Sequence, residues 1–115
     1  EPTYPIGMHV EIMTYEALCN AYNKCSDPIF REHVTPYIYK NPQKFALKAF
    51  RNDKDLSNIR LTVDYKEDLI FTNELIKILR SNKKSISFDN VVSAVQSSRK
   101  LQSYNQHFFK SQTLN

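Results

Sequence analysis

Asp64 closes the short β-branched run "IRLTV" (Ile59 to Val63) and opens the acidic segment "DYKEDL". A carboxylate at the end of a strand is a hard oxygen ligand of the kind Mg²⁺ takes. Strand ends are also where open α/β sheets bind their ligands. The same residue has a purely local reading, as the N-cap of a helix with Glu67 at N3, a capping box worth about 1 kcal/mol. Glu67 and Asp68 then serve as caps and partners of the helix dipole. A second cluster is Arg31, Glu32 and His33. Arginine suits a carboxylate because its guanidinium forms a bidentate fork; the local alternative is a helix surface with an ion pair. Glu11, in an alternating run, can accept hydrogen bonds from hydroxyls or stand solvated. Tyr37 and Tyr39 read as packing residues, and His107 as an exposed residue of the tail. Cys19 and Cys25 lack the paired C-x-x-C spacing of a zinc site, so a site joining them to His33 is not favoured.

The composition narrows the classes. One domain is expected from 115 residues, with a net charge of +4 and basic residues scattered apart from Arg80 to Lys84 and Arg99-Lys100. That scatter does not favour a nucleic-acid surface, which concentrates cations among stacking aromatics. Gly7 is the only glycine, so no glycine-rich phosphate loop can be written in the chain. No run approaches the roughly 20 apolar residues that span a bilayer, and "EPTYPIGM" does not read as a signal peptide. Two cysteines are too few for a disulfide framework and read as reduced thiols of a cytoplasmic protein. The start without methionine reads as a piece of a longer chain.

The elements that would position these residues follow from pattern. "MHVEIMTY" (Met8 to Tyr15) alternates and predicts a strand, with Thr14 capping a helix whose buried stripe is Ala17, Leu18, Ala21, Tyr22 and Cys25. Asp27 and Pro28 start a second helix, and Pro36 and Pro42 limit any helix after it. "FALKAF" (Phe45 to Phe50) and Ile59 to Val63 read as strands. After Asp64 a helix is expected with Leu69, Thr72, Ile76 and Leu79 on one period, flanked by Leu75 and Ile78. Ser87 caps a last helix with Phe88, Val91, Val92 and Val95 inward. The polar tail from Gln102 is expected to fray, unless Phe108-Phe109 docks. The order is α/β, with too few strands for a complete doubly wound sheet.

"YPIGMHVEIMTYEAL", "DPIFREHVTPYIYKNP" and "RLTVDYKEDL" together resemble the cytidylyltransferases of spore coat polysaccharide biosynthesis, relatives of the CMP-sugar synthetases. The likeness runs from Tyr4 to Leu79, with a weaker echo near Asn105. His9 departs from it, standing where the family has aspartate. The resemblance implies residues 1–101 of a partial Rossmann-like, nucleotidyltransferase-type sheet that lacks the nucleotide-binding half, followed by a tail over 102–115. It implies an enzyme that joins CTP and a sugar into a CMP-sugar and pyrophosphate. Asp64 is then a catalytic residue and Mg²⁺ ligand, and Arg31, His33 and Glu11 contact a sugar, an acidic one in the case of Arg31. It also implies a homodimer with Arg31 to Tyr39 at or near the interface, and no nucleic-acid or membrane partner. Phe50, Ile59, Leu61 and Val63 are the strand residues expected to be left uncovered. The alternative is a non-catalytic interaction or dimerisation module derived from the same fold.

Overall fold

In the computed structural model, residues 2–33 and 35–112 are described, with side chains given as far as residue 109. The chain forms two compact units, one from Glu1–His9 with Arg51–Asn115 and the other from Val10–Phe50.

The larger unit is helical. Its longest element is α4, and in chain order the helices of the whole chain are α1 (Tyr15–Lys24), α2 (Pro28–His33), α3 (Pro36–Tyr39), α4 (Lys66–Ser81), α5 (Phe88–Gln96), α6 (Arg99–Asn105) and α7 (His107–Gln112). Helices α4, α5 and α6 pack around one core of Leu56, Ile59, Phe71, Leu75, Leu79, Val91, Val95 and Leu101. The N-terminal residues join this unit through backbone bonds rather than a ladder. The Ile6 N–H donates to the Ile59 carbonyl at 2.8 Å, the Leu61 N–H to the Ile6 carbonyl at 2.8 Å, and the Leu56 N–H to the Thr3 carbonyl at 2.9 Å. Gly7 makes this approach possible. Its φ is +97°, and a Cβ there would sit 3.0 Å from the Thr62 backbone nitrogen, so a side chain would meet both strain and a clash.

Ser87 caps α5 as expected, accepting from the Asn90 N–H, and Val91 and Val95 are buried. The buried stripe of α4 is the expected one only in part: Leu79 and the flanking Leu75 are buried, Thr72, Ile76 and Ile78 are half-buried, and Leu69 is exposed. Asp68, Phe71, Leu75 and Leu79 face the core, while Leu69 and Ile70 are exposed. Apolar residues occur on most sides of this helix, so periodicity alone allows more than one register. Residues beyond Gln102, expected as a frayed tail, continue in α6 and α7, with Leu101 and Asn105 buried.

The smaller unit is built on α1, α2 and α3. Thr14 caps α1 by accepting from the Ala17 N–H at 3.1 Å. Asp27 accepts from the Ile29 N–H at 2.9 Å with Pro28 in the first turn of α2. Its core is small: Ala21, Cys25, Tyr37 and Ile38, with Met13, Phe30 and Phe45 against them. Tyr37 meets the edges of both Phe30 and Phe45. Val34, inside the "REHVTPYI" block, lies outside the described residues.

The expected α/β sheet is not there. Among the described residues the only β pairing is one isolated parallel bridge, Ile6 with Arg60. The segments Met8 to Tyr15, Phe45 to Phe50 and Ile59 to Val63 carry no ladder. Alternation describes an extended chain; a strand also needs a neighbour whose backbone donors and acceptors lie in register, and pattern does not supply one. Val10, Ile12 and Phe50 are accordingly exposed. Of the four strand residues expected to be uncovered, Phe50 and Val63 are, whereas Ile59 is in the helical core and Leu61 packs against it.

Candidate functional site

The site is built where the chain turns from residues 59–63 into α4. Asp68 is fully buried and sits at N3, so its carboxylate reaches back to the start of the helix. There Oδ2 accepts from the backbone N–H groups of Asp64 and Tyr65, each at 3.1 Å. Tyr65, not Asp64, is the N-cap, and Asp68 rather than Glu67 supplies the reciprocal half of the capping arrangement. This corrects the expected cap by one residue: the Asp64 side chain does not cap α4.

Arg60 is buried beside it. Its Nε donates to Asp68 Oδ1 and its Nη2 to Asp68 Oδ2, both at 3.0 Å, which is the bidentate fork. Asn105 on α6 closes the cluster. Its Nδ2 donates to Asp68 Oδ1 and to the Arg60 carbonyl, each at 3.2 Å. Burial alone would raise the Asp68 pKa. The Arg60 fork, the two backbone N–H groups and Asn105 outweigh it and hold the carboxyl down at about 2. The Arg60 guanidinium is raised in turn, chiefly by its hydrogen bonds to Asp68. Above it lie two rings, Tyr65 and Phe108, stacked 4.3 Å apart, with the guanidinium carbon 5.7 and 5.3 Å from their centroids.

Asp64 stands at the edge of this buried cluster and points outward. Its Oδ2 accepts from Arg60 Nη2 at 2.6 Å, yet the side chain is 61% exposed, against 4% for Arg60 and 0% for Asp68. One guanidinium is therefore shared by two carboxylates, which leaves one surplus negative charge, carried on the exposed member. Oδ1 of Asp64 has no partner among the described residues. No group of three His, Cys, Asp or Glu side chains able to hold a metal ion occurs among the described residues. Asp64 is thus the one carboxylate of this cluster whose side chain faces outward.

The other expected site residues belong to the smaller unit. Arg31 is engaged with backbone. Its Nε donates to the Cys25 carbonyl at 3.1 Å and its Nη2 to the Tyr22 carbonyl at 3.3 Å, so it ties off the end of α1, and its guanidinium carbon lies 4.8 Å from the Tyr22 ring centroid. His33 is exposed at the end of α2, and Glu11 is exposed in the lead-in to α1. Among described residues neither side chain has a hydrogen bond or ion pair that would orient it. Cys19 and Cys25 are free thiols, Cys25 buried. Arg60 and Asn105 were not among the expected site residues. Arg60 had a signal in its spacing, four residues before Asp64 and eight before Asp68; Asn105 lies 37 residues beyond Asp68, and local spacing carries no trace of the pairing.

No family model matches the chain, and no solved structure matches it. An uncharacterized protein of Methanocaldococcus jannaschii is 38% identical over 74 residues. The match covers 63% of this chain, and the chain spans about 30% of that relative's length.

Proposed function

We propose that the chain is part of a cytoplasmic sugar cytidylyltransferase of surface polysaccharide synthesis and that Asp64 is its contribution to the chemistry. The carrying observation is the contrast between Asp64 and Asp68. One carboxylate is wholly consumed in building the turn, while the other is held at the surface with one oxygen uncommitted. The motif "RLTVDYKEDL" supports the reading, since its two outer acids divide into a structural and a presented one.

The reaction is attack of a sugar hydroxyl oxygen on the α-phosphorus of CTP. The new O–P bond forms as the bond to pyrophosphate breaks, and the hydroxyl proton passes to solvent. Asp64 would be the residue of this chain that holds Mg²⁺, and the ion would supply positive charge to offset that of the triphosphate. This chain's part is positional: Arg60 fixes the Asp64 carboxylate through Oδ2, and Asp68 with Asn105 fixes Arg60. Such preorganisation, rather than a covalent protein intermediate, carries catalysis of this type. The sugar assignments of Arg31, His33 and Glu11 rest on the resemblance, and the backbone bonds of Arg31 give it a second occupation. The loop that holds the nucleotide phosphates would lie outside these residues.

Pyrophosphate release from CTP by the full-length gene product, with neutral and acidic sugars offered in turn, tests the reading. Sugar-dependent, Mg²⁺-dependent release is expected. Failure with every sugar class, in a folded protein, would favour the interaction-module alternative, for which the exposed outer face of α1 is the specific argument.

A further inference from the structure

The basic cluster from Arg80 to Lys84 takes no part in the site above and stands at the other end of the same helix. Helix α4 has 16 residues, so about 24 Å separates its two ends at 1.5 Å per residue. Between Glu74 and Asp89 the chain carries Lys77, Arg80, Lys83 and Lys84 and no acid. Glu74 is taken by Lys77 at 2.8 Å. Arg80, Lys83 and Lys84 are exposed and have no acidic partner among the described residues. A cation in the last turn suits the helix dipole. Lys83 goes beyond that need. Its φ is +51°, a left-handed backbone that glycine or asparagine adopts at lower cost.

The loop that follows is pinned, and it holds one apolar side chain outward. The Lys84 N–H donates to the Leu79 carbonyl at 2.9 Å, closing α4. Asn90 Nδ2 donates to the Ser85 carbonyl at 3.0 Å and to Ser85 Oγ at 3.2 Å, while the Asn90 N–H donates to Ser87 Oγ at 3.4 Å. Both neighbours of Ile86 are thus fixed to the first turn of α5. Ile86 between them is 70% exposed, more than any other large apolar residue described in the larger unit. An isoleucine exposed singly means little. On an ordered loop beside three unpaired cations, it has the make-up of a surface that meets anionic headgroups and the acyl boundary together. A nucleic-acid surface would instead interleave its cations with aromatic rings, and the neighbouring ring, Phe88, is turned in against the core.

We propose that the loop between α4 and α5, from Asn82 to Ser87, docks the protein on an anionic lipid bilayer. Ile86 enters the boundary of headgroups and acyl chains, and Arg80, Lys83 and Lys84 meet lipid phosphates. This departs from the resemblance, which implies no membrane partner. It is independent of the nucleotidyl-transfer reading, and docking by this end of α4 leaves Asp64 clear at the other. Three cations and one aliphatic side chain make a reversible contact governed by salt, because attraction to charged headgroups falls off within a Debye length.

The test is sedimentation of the 115-residue chain with vesicles of phosphatidylglycerol and phosphatidylcholine in equal parts, and with phosphatidylcholine alone. Binding to the anionic vesicles only is expected. It should be lost between about 0.1 M and about 1 M salt, where the Debye length falls from roughly 10 Å to roughly 3 Å. Lys83→Gly separates structure from binding. It should raise the melting temperature by relieving the left-handed strain, yet weaken binding about fivefold, the share of one cation near the surface. Ile86→Ser should weaken binding about tenfold with the melting temperature unchanged. The chain has no tryptophan, so emission from Ile86→Trp reports that position alone and should shift to the blue on anionic vesicles. Equal binding to neutral vesicles, or binding to neither, overturns the proposal. So does binding that persists in Ile86→Ser with unshifted emission in Ile86→Trp, because charge alone would then account for it.

Discussion

Asp64 and Asp68 are four residues apart, share one arginine and are given opposite tasks by burial. Asp68 accepts from Arg60, Asn105 and two backbone N–H groups, so its loss leaves a buried guanidinium and the start of α4 unsatisfied. Asp68→Ala should therefore cost about 3–5 kcal/mol, as removal of one partner from a buried ion pair does, measurable by denaturant unfolding. Its pH dependence has a definite sign. The folded-state pKa is depressed from 3.8 to about 2, so the stabilisation is present above pH 4 and is lost as pH falls through 2. It amounts to on the order of 2 kcal/mol, and in Asp68→Asn this part of the acid transition should vanish. The sequence showed that acids cluster here but not which one is buried. Three carboxylates in five positions look alike until Arg60 selects one, and that choice depends on α6 returning Asn105 from far along the chain.

At the scale of elements, local chemistry was the legible part. Thr14, Asp27 with Pro28, and Ser87 each mark a helix start, because a cap is decided by a side chain and the N–H groups two or three residues on. The stripe of α4 was less legible, and the sheet was misread. Leu69 and Phe71 are equally apolar in a one-dimensional pattern, and only packing against α5 and α6 turns Phe71 inward. The continuation through α6 was hidden by polarity, since Gln102 and Asn105 resemble loop residues until their carboxamides are seen bonded to Val95, Arg60 and Asp68. Leu101, with 1% exposure, shows that α6 belongs to the core. Leu101→Ala should destabilise the larger unit by about 2–5 kcal/mol, observed as a lowered urea midpoint. A shift within a few tenths of a kcal/mol would mean that α6 is a loosely attached tail.

The molecule as a whole divides by the amount of core each unit owns. Eight residues form the buried cluster of the larger unit and four that of the smaller. A segment of about 40 residues ordinarily needs additional support to be stable alone. No helix among the described residues is long and apolar enough to cross a membrane. Amide hydrogen exchange should accordingly protect α4 and α5 far more than α1 to α3, the two sets opening with separate free energies.

The central claim is that burial divides Asp64 from Asp68 into a reactive and a structural carboxylate, and one paired measurement addresses it. Asp64→Asn in the full-length protein keeps shape and removes a charge that is mostly exposed, so its melting midpoint should move by no more than about 1 kcal/mol equivalent, as for exposed ion pairs. Its CTP-dependent pyrophosphate release should fall by about 100-fold or more, the scale on which loss of one charge-stabilising group acts. Unchanged release in a normally folded Asp64→Asn protein would contradict the account, as would a loss of stability equal to that of Asp68→Ala.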